Sequence, residues 1–186
     1  MHSIADLQPS VKRGFYNVAL LGYSMSIISI FLEFIDGLGK VLAEFISYAF
    51  ILILWYRLHY WLNDVFTWIF RVNVTIILGI LSLIILNRLA IILEGTHLLS
   101  VLGIPVALAI IVLTLAEVIL ELVGFKVLYE STNISYFNAV LYLLAASIVL
   151  DALGATFWFI RLFSNIMKIT AYVNIIVGFN KILRVS

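Results

Sequence analysis

The sequence predicts an all-α fold, a polytopic transmembrane helical bundle of four to six membrane segments that ends in a long apolar helix or hairpin. Three observations carry that expectation. Apolar types make up 65% of the 186 residues and charged types 11%, against about 45–50% and about 25% in a water-soluble domain. A chain of this length would leave too much surface in water to hide the excess. Several apolar runs approach or exceed the ~20 residues that a helix needs to cross hydrocarbon. Two prolines and ten glycines leave few breaks, and the apolar-polar alternation of barrel strands is not visible. Helices are then the way to satisfy the backbone in lipid.

The elements follow in order. Residues 1–14 form a polar N-terminal segment. Its Asp6, Lys12 and Arg13 precede an apolar run long enough to span, unlike a cleavable signal. The first span runs from Phe15 to Ile35 and stops at 36-DGLGK-40, a turn signal with two glycines. The second runs from Val41 to Tyr56. Residues 57–71, RLHYWLNDVFTWIFR, set Arg57, His59, Asp64 and Arg71 among Tyr60, Trp61, Phe66, Trp68 and Phe70. That mixture suits the headgroup level, so it reads as an interfacial amphipathic helix or as the mouth of the second span. The third span, Val74 to Leu93, carries Arg88 near its end, where a long side chain can snorkel to water; His97 follows in a short loop. The fourth, Leu99 to Phe125, has Pro105 near its start and Glu117 and Glu121 inside, and the polar break KVLYESTNIS follows it.

The last segment, 136–183, is the longest. From Tyr136 to Phe179 no turn signal is stronger than Gly154, and one continuous helix over that stretch would be about 66 Å long. That is about twice the hydrocarbon thickness, so the segment either turns near Gly154 into two spans or crosses as one strongly tilted helix. No repeat, low-complexity tract or linker divides the chain, and residues 1–186 read as a single transmembrane domain.

Charge and residue types exclude several functions. The net charge is +1 and no basic tract is present, which sets nucleic acid aside and leaves the lipid bilayer and other membrane subunits as partners. Without cysteine there is no disulfide framework, thiol chemistry or thiolate metal ligation. Neither HExxH, a glycine-rich phosphate loop nor Gly-x-Ser-x-Gly occurs, so neither a catalytic site of its own nor a cofactor or metal is expected. His59 and Asp64 are the candidates for a quinone or haem site, although a single histidine is more often satisfied structurally. Asn73 and Asn133 stand in glycosylation sequons, a motif frequent by chance.

The ionisable residues inside apolar runs carry the functional signal, because charge at membrane depth costs a few kcal/mol or more. They are Glu117, Glu121, Asp151, Arg161 and Lys168. Glu117 and Glu121 are four apart and share a helix face. In a low dielectric both would not ionise, so one should hold a proton or cation or face a base; alternatively Glu121 reaches water and pairs with Lys126. Arg161, Asn165, Lys168 and Tyr172 fall at helical spacing and form one polar stripe, which should face protein or a water-filled cavity. The arginine is permanently cationic. It can act as a fixed charge of an ion path, or tie helices together through Asp151, Glu117 or Glu121.

The stretch 161-RLFSNIM-167, with Gly178 and Phe179 seventeen and eighteen residues beyond the arginine, resembles the arginine helix of the membrane-embedded stator subunit a of rotary F-type ATP synthases. The likeness covers residues 161–179. It implies proton transport beside a rotor c-ring in a multi-subunit complex of the mitochondrial inner membrane, serving ATP synthesis. Arg161 would meet each rotor carboxylate, with Asn165 on the same face. The chain departs from that pattern at Ser147, where the family has a glutamate, at Lys168-Ile169-Thr170, and in ending 25 residues after Arg161. Two other readings compete. A voltage-sensor-like channel module fits the order of the last two segments, but Ser164 and Met167 stand where the next charges would be needed. An accessory helix bundle of a respiratory or other membrane complex needs no chemistry, and predicts Arg161 in a closed pair with an acid of the same chain.

Overall fold

A computed structural model describes residues 7–33, 35, 37–61, 64–92, 103–154 and 158–184. These form six helices: α1 (Pro9–Leu32), α2 (Gly37–Trp61), α3 (Asp64–Ile92), α4 (Ile104–Thr132), α5 (Ser135–Gly154) and α6 (Trp158–Arg184). Each is long and apolar enough to cross a membrane. The chain is therefore an all-α polytopic bundle, at the upper end of the four to six segments expected. Asp36 and His97 lie outside the described residues, as does the side chain of Arg88.

Three boundaries differ from the sequence reading. Pro9 opens α1, where its fixed φ suits a first helical turn and its missing N–H costs nothing; half of the polar N-terminal segment is thus already helix. Residues 57–71 are not a helix of their own, because α2 runs to Trp61 and α3 starts at Asp64. Of the aromatics assigned to headgroups, Tyr60 and Trp68 are exposed, whereas Phe66 and Phe70 pack within that corner: Trp55 stacks on Phe66 at 5.8 Å and Tyr56 meets Phe70 at 5.4 Å. The 136–183 segment is a hairpin rather than one tilted helix. At Gly154 a Cβ would lie 3.2 Å from the Arg161 backbone nitrogen, a closeness that glycine permits. Its two helices, of 20 and 27 residues, each measure about 30–40 Å, one bilayer crossing apiece. The polar break before α5 is narrower than its composition implies. Asn133 alone takes a left-handed φ of 53°, its N–H donating to the Tyr129 carbonyl at 2.7 Å, which closes α4 in the manner of a left-handed cap.

The helices run up and down in a closed ring, each packing on its sequence neighbour and α6 returning to α1. The register is antiparallel throughout. Gly22 and Ser26 of α1 meet Ile51 and Ser47 of α2, Gly79 and Gly124 meet Ile110 and Ile69 across α3 and α4, and Phe137 meets Phe179 across α5 and α6. We call the end that holds the α1–α2 and α5–α6 turns the upper end.

The lower half is closed by rings. Phe15, Trp55, Phe66, Phe125, Phe137 and Phe179, one from each helix, are all at most 1% exposed. Their centroids link Phe66 to Phe179 in steps of 5.3–6.4 Å. Lipid is as apolar as these side chains, so close packing rather than expulsion from water holds such helices together. The glycines at the seams fit that logic: a Cβ at Gly124 or Gly178 would sit 2.8 Å from Ile69 or Phe137. Outside, Leu42, Phe45, Leu108, Ile111, Leu115, Phe163 and Ile166 are exposed and form the lipid-facing surface.

Candidate functional site

The upper half of the ring is not filled. It encloses a cavity of about 670 Å³ lined by α1, α2, α4, α5 and α6. The wall follows helical periodicity. On α6 the stripe Arg161, Asn165, Lys168 and Tyr172 faces the cavity, while Leu162, Phe163, Ile166 and Val173 face out. Tyr23, Ser26, Ser29 and Glu33 line it from α1, Lys40, Glu44, Ser47 and Tyr48 from α2, Asp151 from α5, and Glu117 and Glu121 from α4. All six residues singled out from sequence therefore meet at one site.

Their arrangement differs from the expected one at Arg161. That residue lies in the first turn of α6, its side chain is 59% exposed, and its guanidinium pairs with Glu33 of α1, not with Asp151, Glu117 or Glu121. An apolar run of 44 residues placed it at membrane depth; α5 stops at Gly154 and α6 starts at Trp158, which puts it near a helix end instead. Glu33 also receives Lys40 at 3.7 Å, which is 3.7 Å from Glu44, so the rim is a chain of ion pairs. About two turns further along α6, Lys168 pairs with Asp151. The Ser164 hydroxyl sits between Asp151 Oδ1 at 2.5 Å and the Ser147 carbonyl at 3.0 Å. Ser147 is thus part of the α5–α6 contact rather than a stand-in for a glutamate.

Glu117 and Glu121 form the inner end. Tyr48 donates its hydroxyl to Glu117 Oε1 at 3.1 Å, and Trp55 donates Nε1–H to Glu121 Oε1 at 3.2 Å. Among the described residues no cationic side chain lies within 4.0 Å of either. Lys126 pairs with Glu130 at 3.8 Å instead, because a residue five positions beyond Glu121 stands about 140° around the helix. Two further groups, on residues that line the cavity, are unpartnered and closed to solvent: the Tyr23 hydroxyl and the Asn165 Nδ2, on residues 3% and 6% exposed.

The other candidates are structural. His59 Nδ1 is hydrogen-bonded to Thr67 across the α2–α3 corner, and Asp64 opens α3, where a carboxylate suits the helix dipole. Asn73 is fully buried, with Nδ2 donating to the Ile69 carbonyl at 2.9 Å, so its sequon offers no acceptor surface. No group of three His, Cys, Asp or Glu side chains able to hold a metal occurs among the described residues.

Sequence reasoning missed Glu33, Lys40, Glu44, Tyr23 and Tyr48. The readable signal was the small hydroxyls. Ser26 and Ser29 on α1 and Ser47 on α2 stand at helical spacing from Glu33, Lys40 and Glu44, and Ser26 and Ser47 hydrogen-bond at 2.5 Å. Comparison of the chain with family models, with characterised proteins and with solved structures finds no match.

Proposed function

We propose that this integral membrane protein translocates a cation, in the simplest case a proton, through its own bundle. The observation that carries the reading is a polar cavity open toward one end that stops at Glu117 and Glu121, two carboxylates with no cationic partner among the described residues. A pair of acids in surroundings of low dielectric is stabilised by a cation or proton that neutralises it. The rim pairs Arg161–Glu33–Lys40–Glu44 form the entry. The six-ring layer below is the barrier that must open for release.

This reading keeps transport and gives up the residue roles that the stator resemblance implied. Arg161 lines the chain's own cavity and is engaged by Glu33, so this reading gives it a place at the rim of that cavity instead of opposite a rotor carboxylate. The outer face of α6, with Leu162, Phe163 and Ile166, is hydrocarbon. The proposal requires neither a rotor ring, nor ATP synthesis, nor the mitochondrial inner membrane. The accessory-bundle reading is favoured by one observation, the Arg161–Glu33 pair within the chain. It gives no reason for a charged cavity beside that pair, since intramembrane charge is costly to keep.

The test is flux. Purified protein in proteoliposomes enclosing a pH-sensitive dye should collapse an imposed proton gradient when a potassium diffusion potential drives it. A Glu117→Gln, Glu121→Gln double variant should lose at least nine-tenths of that flux while eluting as the same species. Equal flux from that variant would end the assignment of the carboxylates, and no flux above empty liposomes from the native protein would end the transport reading for protons.

A further inference from the structure

We infer that the inner end of the cavity binds a small organic cation that carries a primary ammonium group and a neighbouring hydrogen-bond acceptor, the chemistry of an amino alcohol. This rests on the transport site proposed for the same cavity and names its occupant.

Size is the first argument. A volume of about 670 Å³ falls in the range of about 300–1,000 Å³ that small-molecule pockets occupy. One water needs only about 10–15 Å³ of such space, so the cavity is far larger than one proton or a bare metal ion needs. Charge is the second. Lys40, Arg161 and Lys168 are each held by Glu33, Glu44 or Asp151, so the cavity's own cations are spent and Glu117 and Glu121 give its inner end a negative balance. A metal ion would ask for a shell of six or more oxygens, whereas an ammonium asks for three acceptors.

The third argument comes from the two orphaned groups, which are independent of the carboxylates. Leaving a buried polar atom unmade costs free energy, so native structures seldom do it without a function. The Tyr23 hydroxyl can accept the third ammonium proton beside Glu117 and Glu121. Asn165 Nδ2 can only donate, so it calls for an acceptor oxygen on the same ligand. Tyr23 and Tyr172, with ring centroids 5.6 Å apart, add π faces of the kind that attract organic cations. A purely inorganic ion satisfies the acids and leaves the Asn165 donor unused.

The experiment uses the full chain in detergent, with ethanolamine as probe and sodium chloride and tetramethylammonium chloride as matched controls, read by isothermal titration and thermal unfolding. Ethanolamine should bind saturably and raise the unfolding temperature, and both controls should bind at least tenfold more weakly, tetramethylammonium because it has no N–H to give. Glu117→Gln with Glu121→Gln should weaken ethanolamine by a hundredfold or more. Tyr23→Phe removes only an unpartnered hydroxyl, so the ligand-free protein should be at least as stable as the native one while ethanolamine binds three- to tenfold more weakly. Equal binding of sodium, or ethanolamine binding that survives both carboxylate substitutions, would overturn the inference. Proton flux that depends on the carboxylates with no ethanolamine binding would overturn the inference alone, and ethanolamine binding without any flux would overturn transport alone.

Discussion

The aromatic layer that closes the lower half depends on how near α6 can come to α5, and Gly178 sets that distance. A Cβ there would stand 2.8 Å from Phe137 Cε1 and 2.9 Å from Cζ, inside any ordinary contact. Phe137 cannot retreat, because it is fully buried between Phe125 at 6.4 Å and Phe179 at 5.3 Å. Overpacking of this kind costs about 1–3 kcal/mol. Alanine in place of a helical glycine returns about 0.5–1 kcal/mol, so Gly178→Ala should lose about 1 kcal/mol net, within a span of about 0–2.5 kcal/mol. For a chain of this size a loss of about 1 kcal/mol is a fall in Tm of roughly 2–4 °C, measurable by circular dichroism in detergent. Gly79→Ala is the control, since its Cβ would meet Ile110 Cγ1 at 3.1 Å, part of a side chain that can turn away; its Tm should hold or rise. Phe137→Leu in the Gly178→Ala background should recover part of the loss. If Gly178→Ala matches Gly79→Ala, the Phe137 ring does not wall that glycine and the α5–α6 register that sets the two face to face is wrong.

Arg161→Gln should change stability by no more than about 1 kcal/mol, because a half-exposed ion pair contributes little and Glu33 keeps Lys40; a loss of several kcal/mol in denaturant titration would place the arginine in a buried tie between helices. Replacing Ser26 and Ser47 by alanine, singly and together, should give a coupling of about 1 kcal/mol in a double-mutant cycle, since the hydroxyls share one short bond at 2.5 Å. Strict additivity would mean that the two upper halves of α1 and α2 are not in contact at that level.

The sequence read well where lipid simplifies the problem and poorly where geometry decides. Composition together with the lack of strand alternation was enough for helices in a membrane, because only helices and closed barrels satisfy the backbone there. The Arg161, Asn165, Lys168, Tyr172 stripe was legible too, since helical spacing needs no tertiary information to place four side chains on one face. Depth was not legible. Gly154 is a weak stop, and only the close approach of the α6 backbone, which would put Arg161 N 3.2 Å from a Cβ there, shows that one apolar run becomes a hairpin with Arg161 at a helix end. The partner of Arg161 was hidden for a related reason. Glu33 closes the first apolar run and reads as an ordinary terminal charge until α1 and α6 are known to be neighbours. The 57–71 stretch was half legible: Tyr60 and Trp68 are exposed, as rings at the headgroup level would be, while Phe66 and Ile69 are fully buried, because a two-helix corner can bury side chains that a lone helix would lay on headgroups.

Transport through this cavity requires water to enter the bundle from one end and to reach the level of the glutamates. Because the chain has no cysteine, single cysteines report that access without background. Ile30→Cys near the rim and Ile51→Cys further in, both on the cavity wall, should react with a charged, membrane-impermeant methanethiosulfonate reagent added to one side of sealed proteoliposomes. Ile166→Cys on the outer face of α6 and Ile175→Cys in the lower core should stay unlabelled from either side. Silence at both cavity positions, or labelling of Ile175→Cys as fast as Ile30→Cys, would contradict a water-filled cavity closed below by its aromatic layer.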